Sequence, residues 1–176
     1  MAIVRAFGGK TPILGDGVFL AESAALIGDV VIGPRSSIWY GAVVRGDVMY
    51  IRIGAEVSIQ DNSVLHVTGG RFATIVGDRV TVGHRVILHG CTVGNDCIIG
   101  MGAVVMDEAR VGASCIVGAG ALVTPRTDIP DGHLAIGAPA RAVRRLTDGE
   151  LAQIQYSAAH YVELSQAYIA GAGETR

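Results

Sequence analysis

An aliphatic residue recurs at every sixth position along most of this chain, in phased blocks. These anchors are Leu26, Ile32, Ile38 and Val44, then Ile53, Ile59 and Leu65, then Val76, Val82 and Leu88, and finally Val93, Ile99, Val105, Val111, Val117 and Val123. A period of six fits neither the 3.6-residue period of an amphipathic helix nor the two-residue alternation of a sandwich strand. Glycine often follows the anchor, and the position two before it is small or slender in nearly every hexad.

These features predict a prism with three flat faces, in which each hexad makes one short strand and one corner. The anchor points inward, the small residue fills the narrow interior beside it, and we expect the glycine to occupy the corner, where φ is unusual. Three hexads make one coil of about 18 residues, and coils stack at about 4.8 Å as parallel strands. The pattern resembles that of left-handed β-helix proteins. We therefore predict an all-β fold, a left-handed parallel β-helix of about seven hexapeptide coils with a C-terminal α-helix.

The repeat divides the chain into an N-terminal segment (1–12), a β-helix domain (13–140) and a C-terminal helix and tail packed on the solenoid (141–176). Residues 129–141 are punctuated by proline and glycine and are predicted to form an exit loop. Thr147 and Glu150 form a capping box that predicts the start of a helix. The helix has an apolar stripe, expected to dock on a solenoid flank or a neighbouring subunit, that consists of Leu151, Ile154, Ala158, Tyr161, Ser165 and Tyr168.

Composition excludes several function classes. The 176 residues include 14 Lys and Arg against 16 Asp and Glu without a basic run, so we expect no nucleic-acid or membrane partner. The N-terminus lacks the basic flank and long apolar core of a signal peptide, and the longest charge-free run is too short to span a bilayer. Cys91, Cys97 and Cys115 lack CxxC spacing and occupy the small inward position, so we expect buried spacers in a cytoplasmic protein.

Polar residues replace the corner glycine in one half of the solenoid, and further polar residues lie near them. This group consists of Arg45, Asp47, Gln60, Asp61, His66, His84 and His89. The three histidines, with carboxylate and amide neighbours, are a donor set for a metal ion. His84 and His89 are five residues apart, so their backbones are about 16 Å apart in a straight extended segment. That is too far for two nitrogens about 2.1 Å from one ion, and a threefold trimer with the metal between subunits would resolve the conflict.

With RGD at 45–47, QD at 60–61, His66 and the His84–His89 pair, the chain resembles the gamma-class carbonic anhydrase family over nearly its whole length. The resemblance implies a homotrimer with Zn²⁺, or alternatively Fe²⁺ or Co²⁺, between subunits. It implies that His66 and His89 come from one subunit and His84 from the next. Counting hexads would instead stack His84 on His66, but residues 66–75 contain a five-residue step out of phase. We therefore follow the family.

The same resemblance implies roles for the polar residues around the metal. Arg45 and Asp47 would form an ion pair between subunits, Gln60 would orient metal-bound water, Asp61 would support the network, and Tyr161 would lie near the site. Three neutral imidazoles leave one metal position open for water, and the ion lowers the pKa of that water to about 7. The resulting hydroxide would attack CO₂ to give bicarbonate.

The chain departs from the best-characterised members where those carry proton-shuttle glutamates. It has Val48 directly after the RGD triplet and an acid-free TGGRF at 68–72, and Glu163 where those members have an asparagine. CO₂ hydration requires a proton to leave the site in each cycle. Efficient hydration therefore does not follow from the metal ligands alone, and Tyr161, Glu163 or a buffer molecule is expected to replace the missing glutamates.

Two other functions stay open at this point. An acyl-transfer enzyme of the same fold would be a metal-dependent acyl-CoA thioesterase or a CoA-dependent acyltransferase. The transferase would need one catalytic histidine and an extended loop over the pantetheine arm, whereas this chain has three candidate histidines and no long insertion. A non-catalytic trimeric scaffold would not require all three histidines.

Overall fold

The computed structural model describes residues 1–171 and shows a left-handed, three-sided solenoid of about seven turns with one helix at its C-terminal end. In chain order the elements are β1 (Ile3–Arg5), β2 (Ile13–Leu14), β3 (Phe19–Leu20), β4 (Ala25–Ile32), β5 (Ser37–Ile38), β6 (Val43–Ile53), β7 (Ser58–Ile59), β8 (Val64–His66), β9 (Thr74–Val76), β10 (Thr81–Val82), β11 (Ile87–His89), β12 (Thr92–Val93), β13 (Ile98–Ile99), β14 (Val104–Val105), β15 (Arg110–Val111), β16 (Ile116–Val117), β17 (Leu122–Val123), β18 (Asp128–Ile129), β19 (His133–Gly137), β20 (Ala140–Arg145) and α1 (Asp148–Ile169). The predicted fold class is confirmed.

The strands form three faces. The first face contains β8, β11, β14 and β17, and the second contains β9, β12, β15 and β18. The long strands β4 and β6 run around the corner between these faces, so both belong to one 12-stranded sheet. The third face is a separate 8-stranded sheet with β3, β5, β7, β10, β13, β16, β19 and β20.

The interior is filled as the hexad pattern predicts. Every anchor is buried, and so are the small inward residues between them. Cys91, Cys97 and Cys115 are free thiols in this interior, and burial raises the pKa of Cys91 to about 12. A thiol with so high a pKa carries almost no thiolate at neutral pH, which agrees with a spacer role for Cys91.

The reason given for the corner glycines is wrong. A glycine that follows an anchor, such as Gly33, does not have positive φ; the left-handed conformation falls three residues after the anchor, for example at Arg35 (φ 57) and Arg79 (φ 54). A Cβ on Gly33 would instead lie 2.5 Å from the carbonyl carbon of Gly54 on the next coil. Glycine is needed there because the backbones of successive coils approach too closely for a side chain.

The predicted exit loop is also wrong, because residues 133–145 form the antiparallel pair β19 and β20. Ile129 and Ala135 continue the six-residue spacing from Val123, and both are buried. Ala135 occupies an anchor position but is smaller than the other anchors, and it lies between a proline and a glycine. The sequence therefore did not indicate that the repeat continues here. At the other end, β1 and β2 pair with β4, so the N-terminal segment adds a partial coil.

Helix α1 begins at the predicted capping box. The Glu150 amide donates to Thr147 Oγ1 at 3.3 Å, and the Thr147 amide donates to Glu150 Oε2 at 2.8 Å. Ile154, Ala158 and Ser165 are buried where α1 packs on the third face of its own chain. No helix within residues 1–171 combines the length and apolar character that crossing a bilayer requires. The tail of the predicted C-terminal part, 172–176, lies outside the described residues.

Candidate metal site

The structure brings His66 and His89 together at the corner between the first and second faces. Strands β8 and β11 pair in parallel with His66 opposite His89, and His66 Nδ1 lies 3.2 Å from His89 Nε2. The two residues are separated by 23 positions, which is one coil plus the five-residue step in 66–75. This step explains why counting hexads alone would have placed His84, and not His89, on His66.

Each of these histidines has a carboxylate partner. His66 Nε2 is 3.1 Å from Asp47 Oδ1, and His89 Nδ1 is 2.6 Å from Asp107 Oδ1. Burial alone would raise the pKa of Asp47, but hydrogen bonds from Arg45 and His66 outweigh it and lower that pKa below its usual value. Burial is likewise outweighed at Asp107, whose pKa is lowered by hydrogen bonds from His89 and its other neighbours.

The carboxylates decide which imidazole nitrogens carry protons. Ionised Asp47 and Asp107 can only accept hydrogen bonds, so His66 Nε2 and His89 Nδ1 must be the donors. When both imidazoles are neutral, the other two nitrogens, His66 Nδ1 and His89 Nε2, carry no proton, and they face each other at 3.2 Å. A cation between them removes their mutual repulsion, and two nitrogens bound tetrahedrally to one zinc ion are about 3.4 Å apart. The donor set therefore fits a metal ion.

The structure places His84 in a different corner. It lies before β11, whereas His89 ends that strand, and its Nδ1 is 2.9 Å from Asp61 Oδ2. Within residues 1–171 of one copy, no three His, Cys, Asp or Glu side chains are grouped to hold a metal ion. The predicted ligands therefore form two clusters: a paired-histidine cluster of Asp47, His66, His89 and Asp107, and a His84 cluster of Gln60, Asp61, His84 and Tyr161.

Gln60 and Tyr161 lie beside His84. All three line a cavity of about 290 Å³ between α1 and the solenoid. Gln60 is only 4% exposed. Burial raises the pKa of Tyr161, and a hydrogen bond with Gln60 partly offsets that rise. The Tyr161 ring also packs edge-on against Trp39, with centroids 6.1 Å apart, so its position is fixed by the third face.

Arg45 and Asp47 flank Gly46 on β6 and form an ion pair within the chain, with Arg45 Nη1 2.5 Å from Asp47 Oδ2. The pairing between subunits that the resemblance implies stays a prediction. Directly after this pair, Val48 is 49% exposed and its carbonyl accepts a hydrogen bond from the Gly70 amide at 3.2 Å. The TGGRF loop therefore packs on Val48, so the two acid-free stretches noted in the sequence lie against each other.

The sequence reasoning missed Asp107 and its neighbour Thr68. Asp107 stands 18 residues after His89 on the next coil, one position beyond Met106, because Leu88 pairs with Val105 and the coil here is 17 residues long. That spacing could have identified it, but the apolar Met106 after the anchor drew attention away from the next residue. Thr68 Oγ1 donates to Asp107 Oδ2 at 2.7 Å. This contact could not be read from spacing, because Thr68 lies within the out-of-phase step.

The three faces of the prism differ in their outer surfaces. On the third face, α1 packs on β3, β5, β7 and β10. Along the middle of the first face, one row of outward residues is entirely apolar: Ala25, Val43, Val64, Ile87, Val104 and Leu122. Those of the second face are mostly polar toward its C-terminal end: Val31, Arg52, Ile75, Thr92, Arg110 and Asp128. The apolar first face lies between the paired-histidine cluster at one edge and the His84 cluster at the other.

Known proteins with similar sequences and structures place this geometry in context. Residues 73–106 and 90–125 match the family model described as bacterial transferase hexapeptide (six repeats). The chain is 49% identical to gamma carbonic anhydrase 1, mitochondrial, of Arabidopsis thaliana, over 92% of its own length, and it spans only 60% of that relative. It is 43% identical to the carbonic anhydrase of Geobacillus kaustophilus, covering 94% of this chain and 91% of the relative. The structure of a hexapeptide transferase family protein from Anaplasma phagocytophilum aligns with a TM-score of 0.90 and 41% identity, covering 94% of this chain and 98% of that one.

Proposed function

Because the chain belongs to the gamma-class carbonic anhydrase family, we propose that it is a metal-dependent enzyme that hydrates CO₂ to bicarbonate at sites between the subunits of a homotrimer. The observation that carries this proposal is the close approach of His66 Nδ1 and His89 Nε2, which lie 3.2 Å apart. Asp47 and Asp107 accept from the opposite nitrogens of the two rings, which leaves the facing lone pairs available to a metal ion when both imidazoles are neutral.

The ligand set would be His66 and His89 of one subunit with His84 of the next. His84 has its own carboxylate partner in Asp61, at 2.9 Å, so all three imidazoles have the nearby carboxylate that is typical of metal-binding histidines. Zn²⁺ suits three imidazoles, with Fe²⁺ or Co²⁺ as alternatives. When bound, the ion supplies the Lewis acidity that makes water a nucleophile at neutral pH.

The apolar first face supports the trimer. A cyclic trimer is built from contacts between two different patches of the same chain. Here the two candidate half-sites lie at opposite edges of one apolar face, and Val64 and Ile87 between them are 36% and 40% exposed in the single chain. A threefold arrangement that covers this face would bring the paired-histidine cluster of one subunit to the His84 cluster of its neighbour.

The remaining residues of the two clusters would orient the reactants. The buried Gln60 amide can both donate and accept, so it can hold a water or CO₂ molecule beside His84. The raised pKa of Tyr161 keeps its hydroxyl protonated at neutral pH, which makes it a hydrogen-bond donor and a poor proton acceptor. Because Val48 and Gly69 offer no carboxylate, we propose that the proton leaves to exposed Glu163 or to buffer.

A second candidate function is hydrolysis or transfer of an acyl group. The cavity beside His84 has a volume of about 290 Å³, and its lining includes the apolar side chains of Ile98 and Met101. Such a space is larger than CO₂ needs and could take a short acyl chain. The similarity to a structure named as a hexapeptide transferase family protein also fits this candidate.

Metal analysis of the purified protein together with stopped-flow CO₂ hydration tests the proposal. We expect one metal per chain, a hydration rate that rises with buffer concentration, and loss of both metal and activity in His66→Ala. His133→Ala, a histidine on β19 outside both clusters, is the matched control and should keep both. A protein that holds one metal per chain tightly and cleaves a thioester, but does not hydrate CO₂, would refute the proposed carbonic anhydrase activity. It would support the second candidate function.

A further inference from the structure

We propose that Thr68 and Asp107 are positioning residues for His89: together they hold the imidazole in the tautomer that leaves Nε2 unprotonated and directed at His66. The out-of-phase step in residues 66–75 thus shifts the coil register and also supplies a residue that fixes a ligand. This inference rests on the proposed function for its purpose, but the contacts that carry it lie within one chain.

The Asp107 carboxylate is held at both oxygens. Oδ1 accepts from His89 Nδ1 at 2.6 Å, and Oδ2 accepts from Thr68 Oγ1 at 2.7 Å. A carboxylate with a single partner can rotate about its terminal torsion. With Thr68 on the second oxygen, rotation would break a hydrogen bond, so the orientation that accepts from His89 is retained.

Thr68 is itself fixed by its backbone. Its amide donates to the Phe72 carbonyl at 3.0 Å, and the Phe72 amide donates back to the Thr68 carbonyl at 3.0 Å. These two bonds close residues 68–72 into a tight turn, and the Gly70 amide ties that turn to Val48 on β6. The hydroxyl of Thr68 is thus presented to Asp107 from a loop that is anchored at both its base and its tip.

Gly90 leaves the room that this arrangement requires. It directly follows His89, has φ of +57°, and a Cβ built there would lie 2.4 Å from Asp107 Oδ1 and 3.0 Å from Phe72 Cβ. A side chain at position 90 would therefore push the carboxylate away from His89. The turn, the carboxylate and the glycine together define one orientation of the ring.

The test measures the His89 tautomer in metal-free protein by long-range ¹H–¹⁵N NMR at a pH of about 9, where imidazoles are neutral. We expect the Nδ1–H form to dominate in wild type and the Nε2–H form in Asp107→Ala. Thr68→Val, which removes only the hydroxyl, should shift the ring toward Nε2–H, and Thr68→Ser, which keeps it, should resemble wild type. Zinc affinity should fall about 10- to 100-fold in Asp107→Ala and by a smaller factor in Thr68→Val.

An unchanged tautomer in Asp107→Ala would overturn the proposal. Equal effects of Thr68→Val and Thr68→Ser would also overturn it, because loop packing and not the hydroxyl would then be responsible. If Asp107→Ala does not fold, the comparison of Thr68→Val with Thr68→Ser tests the proposal by itself. Wild-type protein that binds none of Zn²⁺, Fe²⁺ and Co²⁺ would refute the proposed function, whereas the tautomer measurement on metal-free protein would still decide this inference.

Discussion

Replacing Ile87 by aspartate tests whether the first face is the contact between subunits. Ile87 points outward from β11, between Val64 and Val104 of the neighbouring strands. The matched control is Ile75→Asp, because Ile75 points outward from β9 on the second face and has nearly the same exposure, 37% against 40%. Both substitutions place a charge on a solvent-facing position of the isolated chain, so their effects on monomer stability should be similar.

The two substitutions should differ only in the assembly. Fully burying an isoleucine contributes about 1.5–3 kcal/mol, so covering the exposed 40% of Ile87 contributes about 1 kcal/mol per subunit. Burying an unpaired carboxylate in its place costs several kcal/mol, and this term dominates. With three copies in each trimer the total is on the order of 10 kcal/mol, which is about seven powers of ten in the association constant.

Sedimentation velocity and metal analysis provide the assay. We expect Ile87→Asp to sediment as a folded monomer near 18.2 kDa without bound metal, and Ile75→Asp to remain trimeric and metal-loaded. A trimeric, metal-loaded Ile87→Asp protein would show that the first face is not the contact surface. Dissociation by Ile75→Asp alone would assign the contact to the second face.

Three further predictions concern the cap, the coil contacts and the metal. Hydrogen bonding to Arg144 and to the cap lowers the pKa of Glu150 to about 2 from 4.5, so its stabilising contribution is present above pH 4.5 and is lost as pH falls toward 2. We expect the melting temperature to fall more steeply over that interval in wild type than in Glu150→Gln; parallel slopes would contradict this. Gly33→Ala should destabilise the fold by more than about 2 kcal/mol in urea titrations because of the Gly54 backbone, whereas Gly149→Ala, which meets nothing closer than 4.0 Å, should stabilise it by about 0.5–1 kcal/mol. Chelation should lower the wild-type melting temperature, and re-addition of zinc should restore it; insensitivity to both would argue against a bound metal.

Most of the fold could be predicted because its period is unusual and is repeated. A hexad with an aliphatic anchor and a small inward residue is compatible with few structures, so the buried interior followed directly from the spacing. The reason for the glycines did not follow, because a close approach between coils depends on backbone positions in neighbouring turns. The hairpin of β19 and β20 was missed since Ala135 is too small to mark an anchor by composition.

The candidate site was predicted in its residue types but only partly in its arrangement. The concentration of histidine and carboxylate between Arg45 and His89 was visible in the sequence. His66 pairs with His89 because of a five-residue step in the repeat. Spacing alone cannot define the path that the chain takes through this step. Asp107 lay outside the stretch that drew attention, and its contact with Thr68 depends on a turn whose position spacing alone cannot define.

The most direct test of a site divided between subunits is to mix two inactive variants, His84→Ala and His89→Ala, by dissociation and reassociation. If His84 comes from one chain and His89 from the next, roughly one quarter of the sites in a random equimolar mixture are intact. The control mixes wild type with the His84→Ala/His89→Ala double variant, and its intact sites should fall from about one half to about one quarter of the total. We predict that the mixture of single variants regains metal and CO₂ hydration at about that level. No recovery in the single-variant mixture, with the control constant at one half after verified mixing, would show that each site lies within one chain.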